Sequence, residues 1–172
     1  MTGPGESFGA LSSLLTETAR AIAQLTPAEY AGSEVAGISG SIGGHVRHGL
    51  DHVLTFERGL ETGVVDYEAR RRRTPIERDR ELAVLSLMSA AMRVARHADA
   101  ALSQPLVVRV VLTAGGPVVE CRSSVARELA FVISHTIHHA AQIALLAHRV
   151  GASRLPEGFG LAPTTPSMAG AA

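Results

Sequence analysis

Residues 41–52 read Ser41-Ile42-Gly43-Gly44-His45-Val46-Arg47-His48-Gly49-Leu50-Asp51-His52, and residues 134–139 read Ser134-His135-Thr136-Ile137-His138-His139. Six of the eight histidines in the chain lie in these two short segments. A helix turns by about 100° per residue, so His45, His48 and His52 fall within one narrow sector of a helix. His135 and His139, four residues apart, stand one turn from each other on a second helix, with His138 at the edge of their sector. Apolar residues extend both patterns at helical spacing: Ile42, Val46, Val53, Phe56 and Leu60 around the first, and Val125, Leu129, Val132, Ile143 and Leu146 around the second. The reading is two long helices, over about 41–61 and from Ser123 or Ser124 to Gly151, each with an imidazole stripe.

Two further helices are expected outside these. Phe8, Leu11, Leu15, Ile22 and Leu25 recur at helical spacing over 7–25, ahead of Thr26-Pro27. Pro75, Glu77 and Asp79 suit the opening turn of another helix, read as running to about 102 with Ile76, Leu82, Leu85, Met88, Met92 and Ala95 along its inner side. Between it and the last helix, β-branched residues at 106–112 and 118–121 flank Gly115-Gly116-Pro117, which predicts a small β-hairpin. The fold class is therefore all-α, a four-helix bundle with a β-hairpin before the last helix, and bundles commonly hold metals between facing helices. The bundle is read over 1–154, and 155–172, rich in Pro, Gly, Ala, Ser and Thr, as a partly disordered C-terminal extension.

With 46% hydrophobic against 19% charged residues, the 172-residue chain has enough apolar surface for a core and a length that suits one domain. Sixteen basic residues balance sixteen acidic ones, so no long-range field draws the chain to nucleic acid or anionic lipid. The scarcity of aromatic stacking residues also argues against a nucleic-acid partner. Cys121 is the sole cysteine, which excludes an internal disulfide or a multi-cysteine zinc knuckle, fits a reducing compartment and is read as structural. No leader pattern and no run of ~20 apolar residues stands out, so the expected address is the cytoplasm, without a membrane partner.

The stripes carry the chemistry. Two imidazoles one turn apart converge on one ion, and a third nitrogen from the other helix completes a three-histidine site with open positions for water or substrate. Imidazole donors suit zinc, nickel, iron or copper, and not magnesium or calcium. Spacing does not choose among His45, His48 and His52 for the third ligand. A di-iron carboxylate centre is set aside, because neither stripe has a glutamate three residues before a histidine.

The 41–52 segment, with Arg127-Glu128-Leu129 and 134–139, resembles the DinB-like (YfiT-like) superfamily of metal-binding four-helix proteins. The resemblance runs from the first helix to Phe159-Gly160-Leu161-Ala162-Pro163. It is closest to a branch with an Asp-Tyr-x-x-Arg-x-Arg connection, matched by Asp66, Tyr67, Arg70 and Arg72. It implies His48, His135 and His139 as ligands of a divalent zinc, nickel or iron ion. It also implies relatives that are thiol S-transferases using low-molecular-weight thiols, and by analogy a homodimer.

The expected activity is a metal-dependent thiol S-transferase or hydrolase-like reaction on a small molecule, with a noncatalytic metal-binding or ligand-sensing bundle as the alternative. Metal-bound imidazoles usually donate their other N–H to a neighbour, so His52, His138, Asp51 and Glu128 are candidates for that supporting work, and His52, Glu128 and His138 for catalysis. Arg70 and Arg72, within Arg70-Arg71-Arg72-Arg73, are the candidate substrate-binding residues, since guanidinium forks match carboxylate or phosphate. His97 and His148 are read as ordinary helix residues.

Overall fold

A computed structural model describes residues 3–32, 40–69, 74–152, 154–162 and 165. Helices dominate, with one small sheet. In chain order come α1 (Pro4–Ala23), α2 (Pro27–Ala31), α3 (Ile42–Thr62), β1 (Val64–Asp66), a 3₁₀ turn (Pro75–Glu77), α4 (Arg80–Ala95), β2 (Pro105–Val111), β3 (Val118–Ser124) and α5 (Val125–Arg149). Each start has a local cause. The Ser41 hydroxyl accepts from the Gly44 N–H, the Asp79 carboxylate from Leu82 and the Ser124 hydroxyl from Arg127, each satisfying an amide that the first helical turn leaves unpaired. Gly63 ends α3 in the left-handed region at φ 76°, a conformation in which a side chain would be strained.

α1 packs on α4 and α5, and α3 packs on α5 and α4. The core between them is drawn from Phe8, Leu11 and Leu15 of α1, Val53 and Phe56 of α3, Leu87 of α4, and Leu129 and Ile143 of α5, all at most 2% exposed. Each such side chain contributes about 1.5–3 kcal/mol by leaving water. Among the described residues α5 is the helix long and apolar enough to cross a membrane, a length and composition it shares with core helices of soluble proteins.

The third expected helix differs from its reading in two ways. It ends at Ala95 rather than near 102, and its first turn is the separate 3₁₀ turn. Its buried side is Ala83, Leu87, Ala90, Ala91 and Val94, whereas Leu85 and Met92 are 68% and 60% exposed, and Leu82 and Met88 also face out. The segment is apolar on more than one side, so periodicity offers two stripes. The alanine side packs inward because small residues let helix backbones approach closely. The Ser12 hydroxyl of α1 reaches the Ala91 carbonyl at 3.0 Å.

The expected hairpin is present but is two-thirds of a larger element. β2 and β3 pair antiparallel, and β1 adds to β2 in parallel with Val64 opposite Val107 and Asp66 opposite Arg109. β1 follows the Gly63 cap directly and β3 runs straight into α5, so the sheet joins the end of α3 to the start of α5. Cys121 is exposed on β3 rather than packed, which corrects its structural reading. In the C-terminal segment Leu155 and Phe159 pack against the core, while Leu161 is 56% exposed. Most of 163–172 lies outside the described residues.

Candidate metal centre

The two histidine stripes meet. α3 and α5 lie against each other with Gly49 facing the His139 side chain, where an added Cβ would stand 3.7 Å from the His139 Cβ. Ring centroids of His48 are 5.1 Å from His135 and 4.7 Å from His139, and the His135 and His139 rings are 4.5 Å apart. The Nε2 atoms of His135 and His139 approach to 3.1 Å. His139 and His52 are buried, His45, His48 and His135 are half-buried, and His138 is exposed.

His52 joins this group. Its ring centroid is 4.0 Å from that of His135 and 4.6 Å from that of His48. Its Nδ1–H donates to the His48 carbonyl at 3.0 Å, so Nε2 carries the lone pair. His48, His52 and His135 each offer one nitrogen, all within 4.8 Å of one another, close enough to hold one metal ion. Spacing had signalled this, since His52 stands one turn past His48 as His139 stands past His135. Of the three ligands implied by the resemblance, His48 and His135 belong to this group together with His52, and His139 adjoins it through His135.

The donor set suits a metal ion. The two nitrogens of His139 face other imidazoles, Nε2 toward His135 and Nδ1 toward the His45 Nδ1 at 3.0 Å. A neutral imidazole carries one proton, so it cannot donate to both neighbours. It donates to one and presents its lone pair to the other, and that lone pair can take up an imidazole N–H or a cation. Burial, followed by the neighbouring His135, His48, His45 and His138, pushes the His139 imidazolium down to about 2, so that ring is neutral with a lone pair available. Metal ligation requires neutral imidazole.

The supporting residues are placed less evenly. Glu128, at the start of α5, is fully buried, and its carboxylate accepts from Tyr67 Oη at 2.8 Å, Ser123 Oγ at 2.5 Å and Arg127 at 2.7 Å. It therefore reaches the histidines through Tyr67, whose ring stacks on His52 at 5.1 Å. Phe131 stacks on His135 at 5.6 Å and meets Tyr67 edge-on at 5.2 Å. Tyr67 and Phe131 carry no metal-ligand pattern, and sequence reasoning gave neither a place at the histidines.

Asp51 pairs with Arg47 at 2.9 Å. His138 lies beside His139 at 5.2 Å and farther from His135, at 6.4 Å. His97 packs on Phe8. Arg70 and Arg72 lie outside the described residues. A crevice of about 20 Å³, lined by His45, Gly49, Thr136 and His139 among others, sits beside the cluster. A wider cavity of about 420 Å³ lies on the flank of α3 between Asp51, Thr55, Arg58 and Arg93.

No family model matches the chain, and no solved structure matches it. It is similar to FK506-binding protein 5 of Rhizopus delemar, 33% identical over 103 residues, which cover 59% of this chain. The chain spans 26% of that protein's length.

Proposed function

We propose that this chain is a DinB-like four-helix bundle that binds one divalent ion, zinc, nickel or iron, through His48, His135 and His139. In this reading it acts in the cytoplasm as a metal-dependent thiol S-transferase or hydrolase-like enzyme on a small molecule. The observation that carries the reading is the convergence of imidazoles from α3 and α5, with the His135 and His139 Nε2 atoms 3.1 Å apart and buried His139 held neutral.

When bound, the ion supplies Lewis acidity that lowers the pKa of a thiol or water. The chain's own contributions are separate from that chemistry. His48 and His135, half-buried, mark the side from which a small thiol approaches. His45 meets the Nδ1 edge of His139, and by accepting its Nδ1–H would leave the Nε2 lone pair facing His135. Phe131 and Tyr67 cover the cluster with apolar ring surface and limit water on that flank. Cys121, exposed on β3, is no part of the site, so the nucleophile comes from a cosubstrate.

A noncatalytic metal-binding bundle is the second reading. The specific observation in its favour is the additional imidazole of His52, because a shell filled by protein leaves less room for substrate.

The test is metal quantification on untagged protein, followed by thiol-transfer screening with glutathione-like, mycothiol-like and bacillithiol-like cosubstrates. One equivalent of metal, lost in His48→Ala and His135→Ala together with transfer activity, is expected. Transfer that persists after the metal is stripped would overturn the enzyme reading, and wild-type protein that binds no ion would overturn the metal reading.

A further inference from the structure

We infer that His52 is a fourth ligand of the ion and that a Tyr67–Glu128 brace holds it in place. The inference rests on the metal reading above but not on any transferase activity. It starts from the His52 ring, which is 6% exposed and has two fixed edges. The Nδ1–H is tied to the carbonyl one turn earlier at 3.0 Å. One face lies on the Tyr67 ring with centroids 5.1 Å apart and planes 23° from parallel. With Nδ1 carrying the proton, Nε2 is the nitrogen able to ligate, and His52 lies in the group where one nitrogen each of His48, His52 and His135 come within 4.8 Å of one another.

The brace reaches His52 from elsewhere in the fold. Tyr67 follows β1, where its backbone N–H extends the ladder to the Arg109 carbonyl at 3.2 Å. Its hydroxyl donates to Glu128, a carboxylate with no exposed surface. A buried carboxylate is costly unless its lone pairs are satisfied, and here Tyr67, Ser123 and Arg127 share them. The cost and its compensation make sense if the ring that Glu128 anchors must not move. Second-layer partners of this kind usually reach a ligand by a hydrogen bond. Here the reach is made by ring stacking, with the hydrogen bond one residue removed. Tyr67 and Glu128 are therefore positioning residues, and His52 is the ligand they position.

With His52 added to His48, His135 and His139, four imidazoles would be offered to the ion, the usual number of donors at a structural zinc site. A thiol or water would then have to be taken up beyond these four donors.

The experiment uses the untagged full chain, loaded with cobalt(II) as a spectroscopic probe and with zinc in competition against a chromophoric chelator. His52→Ala is expected to keep one metal equivalent but to bind zinc about tenfold or more weakly, with a changed cobalt visible spectrum and one fewer imidazole by X-ray absorption. Tyr67→Phe, which keeps the ring and removes the anchor to Glu128, is expected to weaken zinc about tenfold at unchanged stoichiometry, whereas a merely structural tyrosine would leave the cobalt spectrum unchanged. His52→Gln gives the same readout if the alanine variant does not fold, as judged by circular dichroism. A folded His52 variant with wild-type zinc affinity and cobalt spectrum overturns the inference while leaving the metal reading intact, provided His135→Ala loses the ion. Wild-type protein without bound metal overturns both.

Discussion

His45 and His139, from different helices and 94 positions apart, bring their Nδ1 atoms to within 3.0 Å of each other. One ring donates and the other accepts in that contact, so the tautomer of His139 is coupled to that of His45. Replacing His45 by alanine is expected to weaken zinc binding about tenfold without changing the stoichiometry of one. Chelator competition on the purified variant checks this. Affinity equal to the wild type would mean that the His139 tautomer is set by something else.

The join between α3 and the 3₁₀ turn is tight. A Cβ at Gly43 would lie 2.0 Å from the Glu77 carbonyl oxygen, a backbone atom that cannot rotate away. Gly43→Ala is expected to cost about 1–3 kcal/mol in urea unfolding, through overpacking. Gly9→Ala is the control: it sits inside α1 with nothing within 4 Å of the added carbon. That substitution is expected to stabilise by about 0.5–1 kcal/mol through helix propensity.

The orientation of α4 is testable with two leucines two positions apart. Leu87 is 2% exposed and Leu85 is 68% exposed. Leu87→Ala is expected to destabilise by about 2–5 kcal/mol and Leu85→Ala by no more than about 0.5 kcal/mol. Equal losses in chemical denaturation would place the helix in the rotation suggested by its larger residues.

Alkaline pH should loosen the fold through two tyrosines. Burial, then the charges of Asp79 and Glu77, raises the Tyr30 phenol above its ordinary 10.0, and burial, then Glu128, raises Tyr67 likewise. Both therefore keep protons in the folded chain that the unfolded chain releases. The sign follows: their contribution is whole below about pH 10 and is lost as pH climbs beyond it. Denaturation midpoints measured from about pH 8 to 11 should fall, and the slope should flatten in a Tyr30→Phe variant. A midpoint independent of pH across that range would contradict the assignment.

How much of this was legible depends on how far each signal reaches along the chain. The two imidazole stripes, His45, His48 and His52 on one helix and His135 and His139 on the other, were readable because one helical turn is a local distance, whereas the choice of His48 within its stripe came from the resemblance and not from spacing. The Ser124 cap and the Gly63 stop were readable for the same reason. β1 was not, since three residues within 64–66 gain their partners only from β2, some forty positions later. Tyr67 and Glu128 met for that reason alone, and no spacing rule connects them. The face of α4 was misread because alanines scored as weak core residues when their small size was the property the packing used.

The sheet that links α3 to α5 also fixes the rotational phase of the histidines. β3 passes into α5 at Ser124 without an intervening loop, and only Gly63 separates α3 from β1. One residue inserted at either junction would turn the adjoining helix by about 100° relative to the strand that anchors it. The loop at 112–117, by contrast, joins two strand ends on the far side and can lengthen without that consequence. Length variation among natural or designed versions of this chain should therefore concentrate in the hairpin tip and be absent from the two junctions.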